Sequence, residues 1–415
     1  MQFRIMKHMV KSLVWGTESS YENGILTINR EMLSKTALED TLGKYSIDIQ
    51  MAYPGESVRI VHVTDVIKPS YKETGAAFPG WTRGEDRCGE GITHQMENIC
   101  VTQCFCYPGI QEGILEMRAP GAMYSIFSKK INLVMTLTLL TKDLPKPDIA
   151  RDLIIINTRA AEYIASVAAN SGNGNLYGVD KEISETNLPK IGYAYFIQAQ
   201  GPLRNVHILG QNCTSMKPQL LSPQMILDGA IVSGNYIIAC QKNPTYLHQE
   251  NPIIMHALER HGTELNFAGV IVSTESSSLD GKRENARQIA YIAKELGLNG
   301  ILVTQEGGGH ADVDLMFTYD ACRDAGIHVV LLANEIAGPE GALPPLVSFS
   351  SNVNAIVSTG NNDEVIHLNA VDRAIGGDRI LNGSFEATGE LDTTLGIMYT
   401  ATNQLGVSNM RTVEI

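Results

Sequence analysis

The sequence predicts an α/β protein with a mostly β N-terminal domain and a C-terminal Rossmann-like parallel sheet flanked by helices. Three observations predict it. Residues 1–145 are dominated by short apolar stretches such as SVRIVHV from Ser57 and INLVMTLTLL from Ile131, punctuated by Gly and Pro. The last third alternates apolar runs (FAGVIVST, GILVTQ, IHVVLLAN) with a segment in which Ala286, Ile289, Ala293 and Leu296 recur at helical spacing. That βαβαβ order requires a parallel sheet with helices on its faces. Between the two parts, Ile156, Ala160, Ile164 and Val167 mark one long helix over Pro147–Ala169, stopped by Gly172. The expected division is 1–145, a bridging helix and strands over 146–222, and an α/β domain over 223–415.

Composition bounds the function. The chain has 415 residues, 44% of them hydrophobic, enough for a large core and two or three domains. Its net charge of −13, without a basic block, argues against nucleic acid or an anionic membrane as partner. No apolar run of about twenty residues is present, so the expectation is a cytoplasmic protein. Seven cysteines in so long a chain fit reduced thiols better than a disulfide framework.

In chain order, the first chemistry-bearing group is Cys100, Cys104 and Cys106, which an extended strand places on one face, with His94 nearby. A metal there is conceivable, but the spacing matches no zinc knuckle, and buried thiols are common in strands. His94 is a candidate for the substrate site or a structural histidine. After the long helix, YAYFIQAQ and NVHILG read as strands leading to the segment GAIVSGNYIIACQKNPTYLHQENP, Gly229 to Pro252. Here IVSG reads as a strand, Asn235 as a turn, and Cys240 to Asn251 as a loop stiffened by two Asn-Pro steps. His248 in that loop is a candidate proton donor or a structural residue.

Further on, the turn QEGGGHADVD falls at the carboxyl end of a predicted strand, where ligands of parallel sheets bind. Asp312 or Asp314 there is a candidate helix cap, and Glu306 and Asp312 are candidate substrate or subunit contacts. A metal held by His310, Asp312 and Asp314 lacks a fourth ligand. Neither G-x-G-x-x-G nor a Walker sequence is present, so no nucleotide cofactor is implied.

The SGN block followed by ACQKNPTY resembles the processing site of the proprotein subunit of component B in the glycine, sarcosine and betaine reductases. The likeness extends through YPGESVRI from Tyr53, IQEGILEM from Ile110, PGAMYSIFSKKINLV from Pro120 and EGGGHADVDLM from Glu306. In pyruvoyl-forming members a cysteine follows the asparagine equivalent to Asn235. Its thiolate attacks the preceding carbonyl, and elimination and hydrolysis leave a pyruvoyl group that binds an amine as a Schiff base. This chain has Tyr236 there, with neither a thiol nor a leaving group on Cβ. The expectation is an uncut chain without pyruvoyl or any other cofactor. Cys240, after Ala239, matches a separate family cysteine, and Asn212-Cys213 repeats the dipeptide outside its context.

A quaternary ammonium cannot form a Schiff base and needs none, because trimethylamine leaves as a neutral molecule. Aromatic faces attract such groups. Tyr236 therefore reads as one wall of a cage, with Tyr246 and Trp81 as companions, or equally as packing beside a strand. Arg59 and Arg118 are candidate anchors for a substrate carboxylate. The resemblance implies the betaine-specific branch and a hetero-oligomer. Its partners would be a second component B subunit carrying selenocysteine or cysteine, the small selenoprotein A and the acetyl-transferring component C. The alternative is a catalytically silent scaffold of such a complex.

Overall fold

The computed structural model describes residues 2–82, 87–106, 113–141, 144–172, 174–178, 187–199, 205–214, 216–234, 242–381, 383–407 and 410–414. Asn235, Tyr236 and Cys240 lie outside the described residues.

The N-terminal part is built on two four-stranded sheets. In the first, Phe3–Met9 runs parallel to Gly91–Glu97 and antiparallel to Asn175–Gly178, with Ser70–Lys72 on the far side of Gly91–Glu97. The second has the order Tyr45–Ala52, Ile131–Leu139, Ile99–Phe105, Val63–Ile67. The run from Ser57 forms two strands, Val58–Ile60 and Val63–Ile67, because His62 takes φ 56° and cannot continue a pleated strand. Cys106 lies beyond the end of its strand and is exposed, whereas Cys100 and Cys104 are buried.

Helix α1 (Lys146–Ala169) starts with Pro147 in its first turn and gives way to Gly172 at φ 68°. Its stripe of Leu153, Ile156, Ala160, Ile164 and Ala168 joins one core with Ile99, Val101, Leu133 and Met135.

The C-terminal part is a seven-stranded sheet among the described residues. Its first strand is β1 (Lys190–Ile197). Two short helices follow, α2 (Thr245–Gln249) and α3 (Pro252–Arg260). Next come β2 (Asn266–Thr274), α4 (Leu279–Glu295), β3 (Gly300–Thr304), α5 (Asp312–Asp324), β4 (His328–Glu335) and β5 (Ala355–Asn361). These five strands are parallel, in the order β2-β1-β3-β4-β5, with Gln219–Leu221 and Arg411–Glu414 as antiparallel edges. Ile289, Ala293, Leu315 and Met316 of α4 and α5 pack on Ala194, Ile271, Ile301, Val303 and Leu331.

Two features differ from the sequence reading. The sheet takes β1 from well upstream of residue 223. The expected loop after Cys240 is instead largely helical from Thr245: Pro244 and Pro252 sit where a helix tolerates proline, and the Asn251 side chain accepts from the N–H groups of Ile253 and Ile254.

The chain then returns to its beginning. Arg373–Ile375 runs parallel to Val58–Ile60. Arg59 is fully buried: its Nε and Nη2 bind Glu116 Oε1 (2.7 and 2.6 Å), and its remaining N–H groups bind the carbonyls of Asn369, Ala387 and Gly389. Among the described residues, no helix is long and apolar enough to cross a membrane.

Candidate functional site

The strand order places a topological switch point between β1 and β3. The chain leaves β1 toward β2 on one side, while β3 continues toward β4 on the other, so the connections part there, the place where ligands of open α/β sheets bind. Glu306, two residues past β3, is fully buried there. Its Oε2 accepts the N–H of Gln198, just past β1 (2.8 Å), and its Oε1 accepts the N–H of Asn243 (2.9 Å). One carboxylate thus ties the ends of two neighbouring strands to the KNP step of the signature segment.

Asn243 extends the network. Its Nδ2 donates to the Tyr195 hydroxyl (2.7 Å), and its Oδ1 accepts from Asn403 Nδ2. The Tyr195 hydroxyl also contacts His248 Nδ1 at 3.0 Å, and His248 Nε2 lies 4.0 Å from Glu306 Oε1. Burial pushes Glu306 up to about 7, against the pull of Lys242 and the two backbone N–H groups. Burial, then the Lys242 charge, push His248 down to about 3, so its imidazole is neutral at physiological pH.

A second buried acid fixes both flanks of the signature segment. Asp65 accepts from the N–H of Thr245 (2.9 Å) and from Asn157 Nδ2 (3.1 Å), with Oδ2 2.8 Å from Thr245 Oγ1. That hydroxyl also accepts the N–H of Ser233 (3.0 Å) and lies 2.7 Å from the Ser233 carbonyl. Thr245 has one hydroxyl proton, so it cannot donate to both Ser233 and Asp65. A protonated Asp65 satisfies every contact, in keeping with burial pushing this acid up to about 7.

Gly234, the glycine of the SGN block, has a steric reason. A Cβ there would meet Ile154 Cγ1 at 2.7 Å and overlap Asn205 Nδ2, whose own bond to the Ala150 carbonyl holds it in place. Gly234→Ala is expected to cost about 1–3 kcal/mol in urea unfolding. A change below a few tenths would show that α1 gives way freely.

The residues singled out from sequence divide clearly. His248 and Glu306 come together at the switch point. Asp312 lies close by in the chain, but its carboxylate is filled by Gln305 Nε2 (2.6 Å) and the N–H groups of Gly309 (3.1 Å) and Val347 (2.8 Å). Trp81 meets His207 edge-on at 4.8 Å, beside the strand Ile231–Ser233 that leads into the signature segment. Tyr246 points elsewhere: it is fully buried against Phe127, with Lys68 and Lys130 over its ring. His94 bonds His8 (2.8 Å) and Glu73 (3.1 Å) in the first N-terminal sheet. Arg59 has all five N–H donors engaged within the chain, which leaves none for a ligand carboxylate. Among the described residues, no group of three His, Cys, Asp or Glu side chains is placed to hold a metal ion.

Sequence reasoning missed Lys242, Asn243, Tyr195, Asn403 and Asp65 as members of the site. Lys242 and Asn243 carried a signal, since a lysine and an amide sit inside the most specific block. The others lie 40 or more residues away in sequence from His248 or Asn243 and gave no local sign.

The model of the glycine/sarcosine/betaine reductase component B subunits matches residues 1–413. The chain is 34% identical to the glycine reductase complex component B subunits alpha and beta of Acetoanaerobium sticklandii, over 99% of both chains. It is 32% identical to the sarcosine reductase complex component B subunit alpha of Peptoclostridium acidaminophilum, covering 91% of this chain and 89% of the relative. Identity to the betaine reductase complex component B subunit alpha of the same organism is 30%, over 98% of each. No solved structure matches the chain.

Proposed function

The chain belongs to the family of glycine/sarcosine/betaine reductase component B subunits, and from that premise we propose that it is the substrate-binding subunit of a complex that reductively cleaves the C–N bond of a quaternary ammonium acid such as betaine. It works uncut and without pyruvoyl. The observation that carries this reading is Tyr236, a residue that can neither attack a carbonyl nor lose a group from Cβ. Cys213 is a poor substitute: it is fully buried, and burial pushes its thiol up to about 12, so it holds its proton at neutral pH.

A quaternary nitrogen removes the need for the missing carbonyl. A partner thiolate or selenolate forms a bond to the methylene carbon while the C–N electron pair departs on neutral trimethylamine. This chain's task is to hold the substrate. Trp81, beside the entry to the signature segment, is the aromatic companion proposed for Tyr236.

Two measurements test the reading. Intact mass should give one chain of 45.2 kDa. Betaine should bind saturably, and Tyr236→Ala should weaken it about 2- to 30-fold, the equivalent of about 0.5–2 kcal/mol for one aromatic face. Two fragments, or a complex that consumes glycine or sarcosine and ignores betaine, would sink the proposal. A silent scaffold would bind none of the three.

A further inference from the structure

We propose that the groove α3 forms with the open face of the sheet binds a small amphipathic anion, a medium-chain aliphatic carboxylate, at a site apart from the switch point. The groove originates in the handedness of the sheet. The β2-α4-β3 and β3-α5-β4 connections step along the sheet in one direction, so right-handed crossovers put α4 and α5 on one face. The connection from β1 to β2 steps the other way and puts α3 on the opposite face. The connection from β4 to β5 carries no helix, and Val330, on the α3 side of β4, is 50% exposed.

Strand alternation turns Ile191, Tyr193, Leu302, Leu332 and Val357 to this side, while Ala194, Ile301, Leu331 and Ile356 pack with α4 and α5. The first set floors a cavity of about 400 Å³. Along α3, the lining residues Ile253, His256, Ala257 and Arg260 fall at i, i+3, i+4 and i+7, one stripe of the helix, whereas Ile254 and Leu258 are buried. Leu405 and Met410 complete the lining. Two lining residues also reach the switch-point network. Tyr193 stacks on Tyr195 (ring centroids 5.4 Å apart), and the Leu405 N–H is accepted by Asn403 Oδ1 (2.9 Å). The groove therefore backs onto the network around Asn243.

Volume and charge select the occupant. At about 30 Å³ for each non-hydrogen atom, the cavity holds roughly a dozen, the size of decanoate. A two-turn helix, about 10 Å across and about 11 Å long, has roughly twice this volume and would stand out of the groove. A sugar or nucleotide body would lose its water to aliphatic walls with few partners in return. The polar groups gather toward the end of the α3 stripe, at His256 and Arg260, and among the described residues that line the cavity none is acidic. Arg260 Nη1 donates to the His256 carbonyl (3.2 Å), and Glu264 stands 3.5 Å from Nε with its side chain 69% exposed, a pair that water screens. Among the described residues nothing is bonded to Nη2, which keeps two N–H groups for a carboxylate. An aliphatic chain on the floor with its carboxylate at Arg260 matches both ends of the groove.

The test is titration calorimetry on the full chain with decanoate and decyltrimethylammonium below their micellar range, comparing wild type with Arg260→Gln, Ala257→Trp and Met410→Glu. Decanoate should bind one per chain and more tightly than decyltrimethylammonium. Arg260→Gln should weaken decanoate by about 3- to 10-fold, an exposed charge-assisted contact. Ala257→Trp, which fills the groove, should abolish binding. Met410 is 58% exposed at the lining, so Met410→Glu leaves the core intact and should weaken decanoate through like charge; thermal unfolding of each variant checks the fold. Equal affinity for the two amphiphiles, or decanoate binding that ignores both Arg260→Gln and Met410→Glu, overturns the proposal. So does a wild-type chain that binds no decanoate, including one whose sedimentation shows a second copy held against this face.

Discussion

Replacing Arg59 by alanine should cost about 3–5 kcal/mol of stability, the range for removing one partner of a buried ion pair. The guanidinium is fully buried, and Glu116 beside it is 3% exposed at its side chain. Burial already pushes the Glu116 carboxyl up, and Arg59 is the principal force holding it down. Without Arg59, Glu116 must take a proton, and the carbonyls of Asn369, Ala387 and Gly389 lose their donors. Arg59→Ala with Glu116→Leu should recover only part, because those three carbonyls stay unsatisfied. Urea unfolding of both variants measures this. A loss below about 1 kcal/mol would mean that Arg59 is not structural and would return it to the list of ligand contacts.

The stability of this protein should fall as pH rises from about 5 to about 7, and Glu306→Gln should flatten that slope by one proton. Glu306 has a folded value of about 7 against 4.5 for the free side chain. Between those values the native state holds a proton that the unfolded chain has lost, so raising pH favours unfolding, by at most about 3 kcal/mol for this group. Asp65 contributes in the same sense from 3.8 to about 7. The charged and titratable groups around Glu306 are Lys242, His248, Glu275, Tyr193, Tyr195 and Cys213. Glu275, raised by burial and by the neighbouring Asp314, adds to the slope in the same sense, and His248, pushed down to about 3, opposes it below about 6.5, so the difference between wild type and variant reports Glu306 together with its charge effect on Glu275. Parallel stability curves for the two proteins would contradict it.

The sequence-based reading was most successful where pattern is local. The α1 stripe and the β2-α4-β3-α5-β4 alternation follow from spacing within single segments, and both are where they were expected. The Asn-Pro steps misled because the same dipeptide that ends extended chain also begins a helix, and only the Asn251 capping bonds distinguish the two. Glu306 was found because it opens the EGGGHADVDLM block that resembles the family. Its role was not, since bonds to Gln198 and Asn243 span 108 and 63 residues. Arg59 was misjudged for the same reason: its carbonyl partners lie more than 300 residues away, and a lone arginine in a strand looks like a ligand contact until they arrive.

The order β2-β1-β3 also bears on what a break in the backbone would do. β1 comes before the signature segment in the chain, while β2 and β3, its neighbours on either side, come after it. A scission anywhere within 235–241 would therefore yield two pieces sharing one sheet, with the upstream piece hydrogen-bonded along both edges of its strand. The Gln219–Leu221 edge strand would add a second clasp on β2. Such a nicked molecule should migrate as one body under native conditions and separate only in denaturant. In this architecture the pairing of β1 with β2 and β3, not chain continuity at the signature segment, should hold the two pieces together.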